Sequence, residues 1–237
     1  ILEYLQAGGK LILITGPLQD GTELTNLEAV MEYYGVTAAD GIVVEGSDSN
    51  YLFPAPINLL PEYGSHEITS PLSEGGYYMC LPLAQGLVVG EAQRDTVSVT
   101  ELLTTSDSAY SKLSGYSMST YEKEDGDIDG PFALAVAITE TLSDGGETGV
   151  IWVSSAYLLD DSTNASISGG NEDFFLNCVN WLCGSESGIS IHAKSLDAEY
   201  LAISSGTSSL LTMLMVGVIP VCFLAAGIVI WVRRKKR

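Results

Sequence analysis

The C-terminal end of the chain most constrains the fold, because a basic cluster directly follows a long uncharged segment. Residues 201–232 contain no charged side chain, and the run LLTMLMVGVIPVCFLAAGIVIWV (Leu210–Val232) is 23 residues long. As a helix that rises about 1.5 Å per residue, this run extends roughly 35 Å, whereas the hydrocarbon core of a bilayer measures about 30 Å. Its length and composition therefore predict a transmembrane helix.

The residues that close this run predict its orientation in the membrane. Trp231 lies where an interfacial aromatic residue is expected, and five basic residues follow. These residues are Arg233, Arg234, Lys235, Lys236 and Arg237. Basic residues beside a span stay in the cytoplasm and contact the anionic inner leaflet, so we predict a cytoplasmic C-terminus. The chain before the span is then predicted to be extracytoplasmic.

Charge is distributed very unevenly along the chain. The formal charge of the whole chain is −20, and half of its ten basic residues lie in 233–237, so the preceding part carries −25. Such an acidic surface repels nucleic acid, which we exclude as a partner. The pattern divides the chain into an acidic domain (1–200), a tether (201–209), the span (210–232) and a basic cytoplasmic tail (233–237). The first residues, ILEYLQAGG, are typical of the end of a helix, so we expect a domain truncated at its N-terminus.

The N-terminal part of the domain has the pattern of a strand, a helix and a second strand. KLILITG (Lys10–Gly16) is a short apolar run that ends in Gly-Pro, which is typical of a buried strand. Apolar residues at helical spacing follow in TNLEAVMEYYGV (25–36), and GIVVEG (Gly41–Gly46) has the composition of the next strand. This order predicts an α/β fold with a mostly parallel sheet sandwiched by helices.

Later segments support the same interpretation. FALAVAIT (Phe132–Thr139) and GVIWVSS (Gly149–Ser155) have the length and composition of core strands, as does TVSVTELL (Thr96–Leu103). NEDFFLNCVNWLCG (Asn171–Gly184) predicts an amphipathic helix that ends at a glycine. The Ser-rich and acidic segment 104–130 predicts an exposed loop.

The order of these segments resembles that of a known family. The segments that carry the resemblance are ILEYLQAGGKLILITGP, HEIT (His66–Thr69), LLTTSDSAY (Leu102–Tyr110), GPFALAVAI (Gly130–Ile138), GVIWVSSAYLL, NEDFFLNCVNWL and ISIHAK, then the span and its basic end. Together they are similar to the GldG family, the membrane-anchored auxiliary components of ABC-2-type transport systems. The resemblance covers essentially the whole chain and depends on the order of the segments.

The resemblance implies a fold, a location and partners. It implies an extracytoplasmic α/β domain similar to the flavodoxin-like or class I glutamine amidotransferase-like sandwich. It also implies that the protein functions together with an ABC ATPase and a polytopic ABC-2 permease. The family supplies no known set of catalytic residues, and its members usually carry a further N-terminal span.

Nucleophilic catalysis has few candidate residues in this chain. The motif GxSxG is absent, and the two histidines are His66 and His192. His66 with Cys80, or His66 with Ser154, would be the pairs of an amidase- or esterase-like hydrolase. No strand–turn–helix context marks either partner as a nucleophile, so we predict that the protein is not an enzyme.

The cysteines Cys80, Cys178, Cys183 and Cys222 match neither a CxxC motif nor a zinc-ligand spacing. Cys178 and Cys183 lie five residues apart in a predicted helix, so they point in different directions. A bridge from Cys80 to one of them stays open, but buried free thiols are the preferred interpretation.

One acidic segment resembles the first half of a calcium-binding loop. DGDIDG places Asp125, Asp127 and Asp129 at alternate positions before a glycine. The twelfth position is Val136 rather than a glutamate, so the segment is not an EF-hand. We predict no cofactor and prefer a solvated acidic loop, with a calcium site completed by a distant carboxylate as the alternative.

A ligand crevice is expected at the carboxyl ends of the strands, where open α/β sheets bind ligands. The residues expected there are Gly16, Gln19, Asp20, Ser154 and Ser155. The glycine spacing is not GxGxxG and no basic residue neutralises a phosphate, so a neutral sugar or a peptide is favoured over a nucleotide. Ordinary connecting loops are the simpler interpretation.

These observations lead to one functional prediction. We expect a non-catalytic accessory subunit of an ABC-2-type transporter, anchored in the cell membrane by its C-terminal span. Its acidic domain would engage the permease or the exported substrate. The alternatives are an extracytoplasmic sugar- or peptide-binding module and, less favoured, the hydrolase.

Overall fold

The computed structural model describes residues 1–19, 22, 24–90, 94–184 and 205–235. Most of the strands in these residues are short. They are β1 (Lys10–Ile14), β2 (Val36–Ala38), β3 (Ile42–Val44), β4 (Asn58–Leu59), β5 (Glu62–Tyr63), β6 (Leu81–Pro82), β7 (Leu87–Val89), β8 (Val97–Thr104), β9 (Tyr110–Lys112), β10 (Ile128–Asp129), β11 (Ala133–Thr141) and β12 (Glu147–Val153).

Seven of these strands form the main sheet. β1 lies at one side of it and pairs with β12, which pairs with β11. β11 then pairs with β8 along most of its length and with β7 at Ala133, while β2 lies beyond β7 and β5 pairs with the end of β8. Two small sheets stand apart: β9 lies between β3 and β10, and β4 pairs with β6.

The prediction of a mostly parallel, flavodoxin-like or amidotransferase-like sheet is wrong. Among the described strands, β1 and β12 form the one parallel pair, and the other pairs are antiparallel. The predicted second strand of the strand–helix–strand unit is β3, which leaves the main sheet and pairs with β9.

The connection between β11 and β12 explains part of this error. These strands are joined by the turn Leu142–Gly146, which is closed by the Leu142 N–H donating to the Gly146 carbonyl at 2.8 Å. A parallel pair needs a crossover of about a dozen residues or more, so a connection this short imposes an antiparallel pair.

Helices cover both faces of the main sheet. On one face Ile151 packs in a cluster with Phe174 of the longest domain helix, and on the other Val150 packs in a cluster with Met31. The domain helices are α1 (Leu2–Gln6), α2 (Thr25–Tyr33), α3 (Ser70–Gly75), α4 (Asp161–Ser166) and α5 (Gly170–Leu182), with a 3-10 turn at Gly115–Ser117. Burial on both faces gives a strand a continuous apolar run, which is the pattern normally associated with parallel sheets.

The local predictions are confirmed for several elements. The strands expected at Lys10–Gly16, Phe132–Thr139 and Gly149–Ser155 correspond to β1, β11 and β12 within three residues at either end. The helices expected at 25–36 and 171–184 correspond to α2 and α5. The strands are short apolar runs and the helices have apolar residues at helical spacing, and both signals are local.

The segment 104–130, predicted as an exposed loop, is partly ordered into strands. It contains β9 and β10, and the side chain of Lys112 at the end of β9 is fully buried. The Lys112 ammonium donates to the Glu122 carbonyl at 2.6 Å and to the Glu124 carboxylate at 2.8 Å. The acidic segment therefore folds back over its own lysine instead of extending into solvent.

The chain ends in a helix that makes a continuous apolar surface. Residues Gly206–Lys235 form a helix of 30 residues that is long and apolar enough to cross a membrane, and its apolar window is not buried against the described domain. Residues Met213–Val218 are π-helical and end two residues before Pro220. A proline ring clashes with the carbonyl four residues earlier, and a π-helical turn is one way to relieve that clash.

Candidate ligand cleft and the predicted site residues

At one edge of the main sheet, the strands β1, β8 and β12 end and β11 begins. Ile14 at the end of β1 lies opposite Val153 at the end of β12. Ala135 of β11 lies opposite Val153, and Ala133 lies opposite Thr104 at the end of β8. We call this the carboxyl edge, because β1, β8 and β12 all end there. The opposite edge, where β1, β8 and β12 begin and the turn Leu142–Gly146 lies, is the far edge.

A cleft of about 580 Å³ lies beside the carboxyl edge. Its walls come from segments that are distant in sequence: the residues after β1, helix α2, β2 and the residues after it, and Gln85 before β7. Trp152 of β12 also lines it, and the Trp152 indole N–H donates to the Thr15 hydroxyl at 2.8 Å. This hydrogen bond fixes the indole ring against the end of β1.

The cleft is acidic and has no basic wall in the described part of the chain. Glu28 and Glu32 of α2 and Asp40 after β2 all line it and are exposed. The ion pairs of the described residues involve Arg94, Lys112 and Lys123, and none of them reaches these three carboxylates. Glu28 and Glu32 are four residues apart on one helix, where like charges repel each other. The cleft therefore favours neutral or cationic ligands over anionic ones.

The predicted crevice residues are only partly brought together. Gln19 lines the cleft, and Gly16 packs closely on Ala156, where an added Cβ would lie 3.2 Å from the Ala156 Cβ. Asp20 lies outside the described residues. Ser154 and Ser155 follow β12 as expected but are fully buried beneath the edge.

The hydroxyls of these two serines are engaged in the backbone of the domain. The Ser154 hydroxyl donates to the Leu134 carbonyl at 3.0 Å, and the Ser155 hydroxyl donates to the Pro82 carbonyl at 2.6 Å. Both serines therefore join neighbouring segments at the end of β12.

The candidate nucleophiles and His66 have separate surroundings. The His66 Nδ1 accepts from the Ile68 N–H at 3.2 Å, and its ring packs edge-on against Trp181. Burial lowers the pKa of His66. Cys80 is buried, and burial raises its pKa to about 12, so the thiol is protonated at neutral pH. His192 lies outside the described residues.

Cys80 instead belongs to a buried hydrogen-bonded clamp. The Asn171 amide group donates to the Cys80 carbonyl at 2.7 Å and accepts from the Cys80 N–H at 3.0 Å. All four cysteines are free thiols; Cys80 and Cys178 are buried as preferred above, whereas Cys183 and Cys222 are exposed. The expectation of burial is therefore wrong for Cys183, which lies at the end of α5.

The three aspartates of the proposed calcium half-loop face different groups. Asp127 accepts from the Leu113 N–H at 3.1 Å and from the Glu124 N–H at 2.9 Å. Asp129 forms an ion pair with Lys123, and Asp125 is exposed. The described residues contain no group of three or more metal-ligating side chains. The calcium site stays a prediction.

An internal ammonium group neutralises the acidic segment. Lys112 Nζ lies 3.4 Å from the Asp127 carboxylate and 2.8 Å from that of Glu124. Burial lowers the pKa of Lys112, but the two carboxylates outweigh burial and raise it above the usual value. Burial likewise raises the pKa of Asp127, but the two backbone N–H groups and Lys112 hold it below the usual value. The cation that lies beside the Glu124 and Asp127 carboxylates is therefore the Lys112 ammonium group of the chain itself.

Sequence reasoning missed most of the residues that line the cleft. The spacing of Glu28 and Glu32 on a predicted helix was a usable signal, because residues four apart share one face. Asp40, Gln85 and Trp152 gave no such signal, since they reach the cleft only through the pairing of β2, β7 and β12.

The fold and the site define a domain of mixed, largely antiparallel sheets that carries one apolar C-terminal helix. Comparisons with protein-family models and with curated proteins give no match. Among solved structures, the mmIFT52 N-terminal domain is similar to this chain, with a TM-score of 0.52 and 17% identity over 78% of this chain and 69% of that one. At this identity the likeness shows the fold alone, which is β-rich rather than flavodoxin-like.

Proposed function

We propose that the C-terminal helix anchors this chain in the membrane and that the protein serves as a non-catalytic accessory subunit of an ABC-2-type transporter. Its acidic domain stands outside the cytoplasm, and its C-terminus lies in the cytoplasm. The ATP chemistry belongs to a separate ATPase subunit, and the channel belongs to a permease.

The exposed C-terminal helix is the observation that carries the membrane anchoring in this proposal. Val216 is 72% exposed, Phe223 is 73% exposed and Trp231 is 62% exposed, although all three side chains are apolar. Burying apolar surface stabilises a protein by about 25 cal/mol per Å², so a helix of this kind needs a covering that water does not provide. A bilayer is the covering that matches its length.

The basic end of the helix supports the orientation. Lys235 Nζ lies 5.1 Å from the centre of the Trp231 ring, so an aromatic and a cationic group stand together at this end. Such pairs are typical of membrane interfaces, and basic residues favour the cytoplasmic side. Lys236 and Arg237 lie outside the described residues and add two further positive charges by sequence.

The transporter role depends on the resemblance of the segment order to the GldG family. It is compatible with the surroundings of the candidate nucleophiles, because Cys80, Ser154 and Ser155 are buried and engaged with backbone groups. Burial of these three side chains is compatible with a part that positions or couples other subunits.

Purification from native cells in mild detergent tests the transporter role. We expect the full-length protein to recover an ABC ATPase and a polytopic permease, identified by mass spectrometry. A matched variant that lacks residues 205–237 should recover neither, since it loses the anchor. Recovery of neither subunit with the intact chain would contradict the accessory role.

Protease treatment of intact cells tests the orientation separately. We expect the acidic domain to be cleaved from outside, while an epitope attached after Arg237 stays protected until the membrane is opened. Protection of the domain in intact cells would mean that the positive-inside assignment is wrong.

The acidic cleft favours a second candidate function, an extracytoplasmic module that binds a sugar or a peptide. Its lining combines two amides, Gln19 and Gln85, with the carboxylates of Glu28, Glu32 and Asp40. Amides and carboxylates suit hydroxyl and ammonium donors, and the absence of a basic lining residue in the described chain disfavours anionic ligands.

Glycan and peptide arrays probed with the full-length protein test this second candidate. We expect binding to fall at least about tenfold in Gln85→Ala, because a buried ligand group loses its partner. The control is Glu147→Gln, an exposed carboxylate at the far edge, which should leave binding unchanged. Equal binding by both variants would exclude the cleft as the site.

A further inference from the structure

We propose that the acidic domain stands on the bilayer with its carboxyl edge towards the lipid, and that the segment 47–57 forms the contact with the lipid surface. This inference rests on the membrane anchoring proposed above. It adds which face of the domain meets the membrane and which residues lie among the headgroups.

A direct contact joins this segment to the beginning of the C-terminal helix. The Gly206 N–H donates to the Asp48 carbonyl at 2.9 Å. A Cβ added to Gly206 would lie 3.7 Å from the Asp48 carbonyl oxygen and 3.7 Å from the Ser49 hydroxyl. The turn that contains Asp48 and Ser49 therefore packs against the first turn of the helix.

The position of Gly206 along the helix sets the depth of this contact. Gly206 precedes Leu210, the first residue of the apolar run, by four residues, which is about 6 Å along a helix. The headgroup layer on each side of the hydrocarbon core is roughly 5–8 Å thick. If Leu210 lies at the hydrocarbon boundary, Asp48 and Ser49 lie within the headgroup layer.

The composition of the segment suits a lipid surface. Residues 47–57 contain one acidic residue, Asp48, whereas the part of the chain before Leu210 carries a charge of −25. Residues 51–59 form a hairpin in which Tyr51 pairs with Leu59. Phe53 lies at its tip and is 62% exposed, and the exposed Pro54 follows it. The hairpin is closed by the Leu52 N–H donating to the Asn58 carbonyl at 2.8 Å. An apolar tip with little charge is the part of an acidic domain that anionic headgroups repel least.

The rest of the domain fixes which edge is nearest to the membrane. Glu45 accepts from the Ser106 N–H at 3.2 Å, and Ser106 lies two residues beyond the end of β8. The segment that follows Glu45 is therefore at the carboxyl edge of the main sheet. Ser143, in the turn between β11 and β12, is exposed at the far edge, roughly 20 Å away along the seven residues of β12.

The test measures depth with single fluorescent labels on the full-length protein in phosphatidylcholine vesicles. The exposed cysteines are first removed with Cys183→Ser and Cys222→Ser. Cys80 and Cys178 are kept, because both are buried and burial raises the pKa of each thiol to about 12, so neither reacts with the label. Labels at Ser49→Cys and Phe53→Cys are compared with the control Ser143→Cys. The quencher is a lipid that carries a nitroxide on its headgroup.

We expect quenching at Ser49→Cys and Phe53→Cys to exceed quenching at Ser143→Cys at least about threefold, because the two edges are separated by the length of the strands. Quenching at all three positions as weak as at Ser143→Cys would overturn the proposal. Strong quenching at Ser49→Cys alone would overturn the part that assigns the hairpin tip to the lipid.

A fourth label separates this proposal from membrane anchoring itself. Cys222, kept as the one exposed cysteine in Cys183→Ser, is labelled and exposed to a lipid with a nitroxide in its acyl chain. Strong quenching at Cys222 with weak quenching at Ser49→Cys would overturn the orientation and leave the anchor intact. Weak quenching at Cys222 would remove both proposals.

Discussion

The two most apolar parts of this chain have opposite surroundings. In the main sheet and α5, side chains such as Ile151 and Phe174 are fully buried by other parts of the domain. In the C-terminal helix, Ile228 is 61% exposed and Phe223 is 73% exposed. The same residue types thus stabilise the domain in one region and leave it unaffected in the other.

The difference extends to polar groups. Inside the domain, Asn171 must be paired, and it is clamped to both backbone groups of Cys80. In the C-terminal helix most backbone N–H and C=O groups pair within the helix, as a hydrocarbon environment requires, although Pro220 has no N–H to donate. Apolar composition therefore identifies a region that avoids water, and the exposure of its side chains indicates whether the described domain covers it.

The largest expected effect comes from the same substitution in both regions. Phe174→Ala should lower the free energy of unfolding of the domain by about 3–5 kcal/mol, because it leaves a cavity in a packed core. Phe223→Ala should change it by less than about 0.5 kcal/mol, because Phe223 is 73% exposed. Urea titration in detergent, followed by tryptophan fluorescence in a Trp231→Phe background, measures both. Equal losses would contradict the comparison.

A charge in the middle of the helix should affect anchoring alone. Leu224→Arg should disfavour membrane insertion by about 3–4 kcal/mol. The unfolding transition of the domain should stay within about 0.5 kcal/mol of the parent, since Leu224 is 66% exposed. Carbonate extraction of membranes measures insertion, with Leu224→Ile as the control. Retention of Leu224→Arg in the membrane fraction would argue against a span.

Removing a paired polar group from the core should have a smaller effect. Asn171→Ala leaves the N–H and the carbonyl of Cys80 unpaired, and an unsatisfied buried group costs about 1–3 kcal/mol. Asn26→Ala, at an exposed position of α2, should fall within about 0.5 kcal/mol of the parent in the same titration. A near-neutral Asn171→Ala would mean that water replaces the amide.

Acid should weaken the domain and leave anchoring unchanged. The pKa of Asp127 is lower in the folded state than in the unfolded state, so its contribution is present above the unfolded value of about 3.9 and is lost as the pH falls through the folded value. The melting temperature should therefore decrease between about pH 5 and pH 2. Asp127→Asn should flatten this decrease relative to the exposed control Asp125→Asn. An identical pH profile for both variants would contradict the role of Asp127.

The directions of the strands were harder to predict from the sequence than their positions in the chain. β11 and β12 were found as core strands because each is a short apolar run of the right length. The chain between them includes SDGG, a turn signal too short for a crossover, and this could have indicated an antiparallel pair. The departure of β3 to the second sheet had no local signal, because its partner β9 lies more than 60 residues away.

The candidate site was predicted only in part, because the sequence indicates which residues follow a strand but not which distant segments cover them. Gln19 was expected at the end of β1 and does line the cleft, since a residue that follows a strand stays near its end. Ser154 follows β12 in the same way, but its hydroxyl is covered because the segment before β7 crosses it, with the Gln85 N–H donating to the Ser154 carbonyl at 2.9 Å. Lys112 was assigned to a solvated loop, whereas its acidic partners bury it.

The sequence by itself determined the apolar C-terminal helix, the acidity of the domain and the location of its main strands and helices. Each of these depends on composition or on a period within one segment. Only the tertiary structure decided the direction of the strands, the burial of Lys112 and Ser154, and the meeting of Glu32, Asp40 and Gln85 in one cleft. These features depend on contacts between residues far apart in the chain, and a local pattern carries no information about such partners.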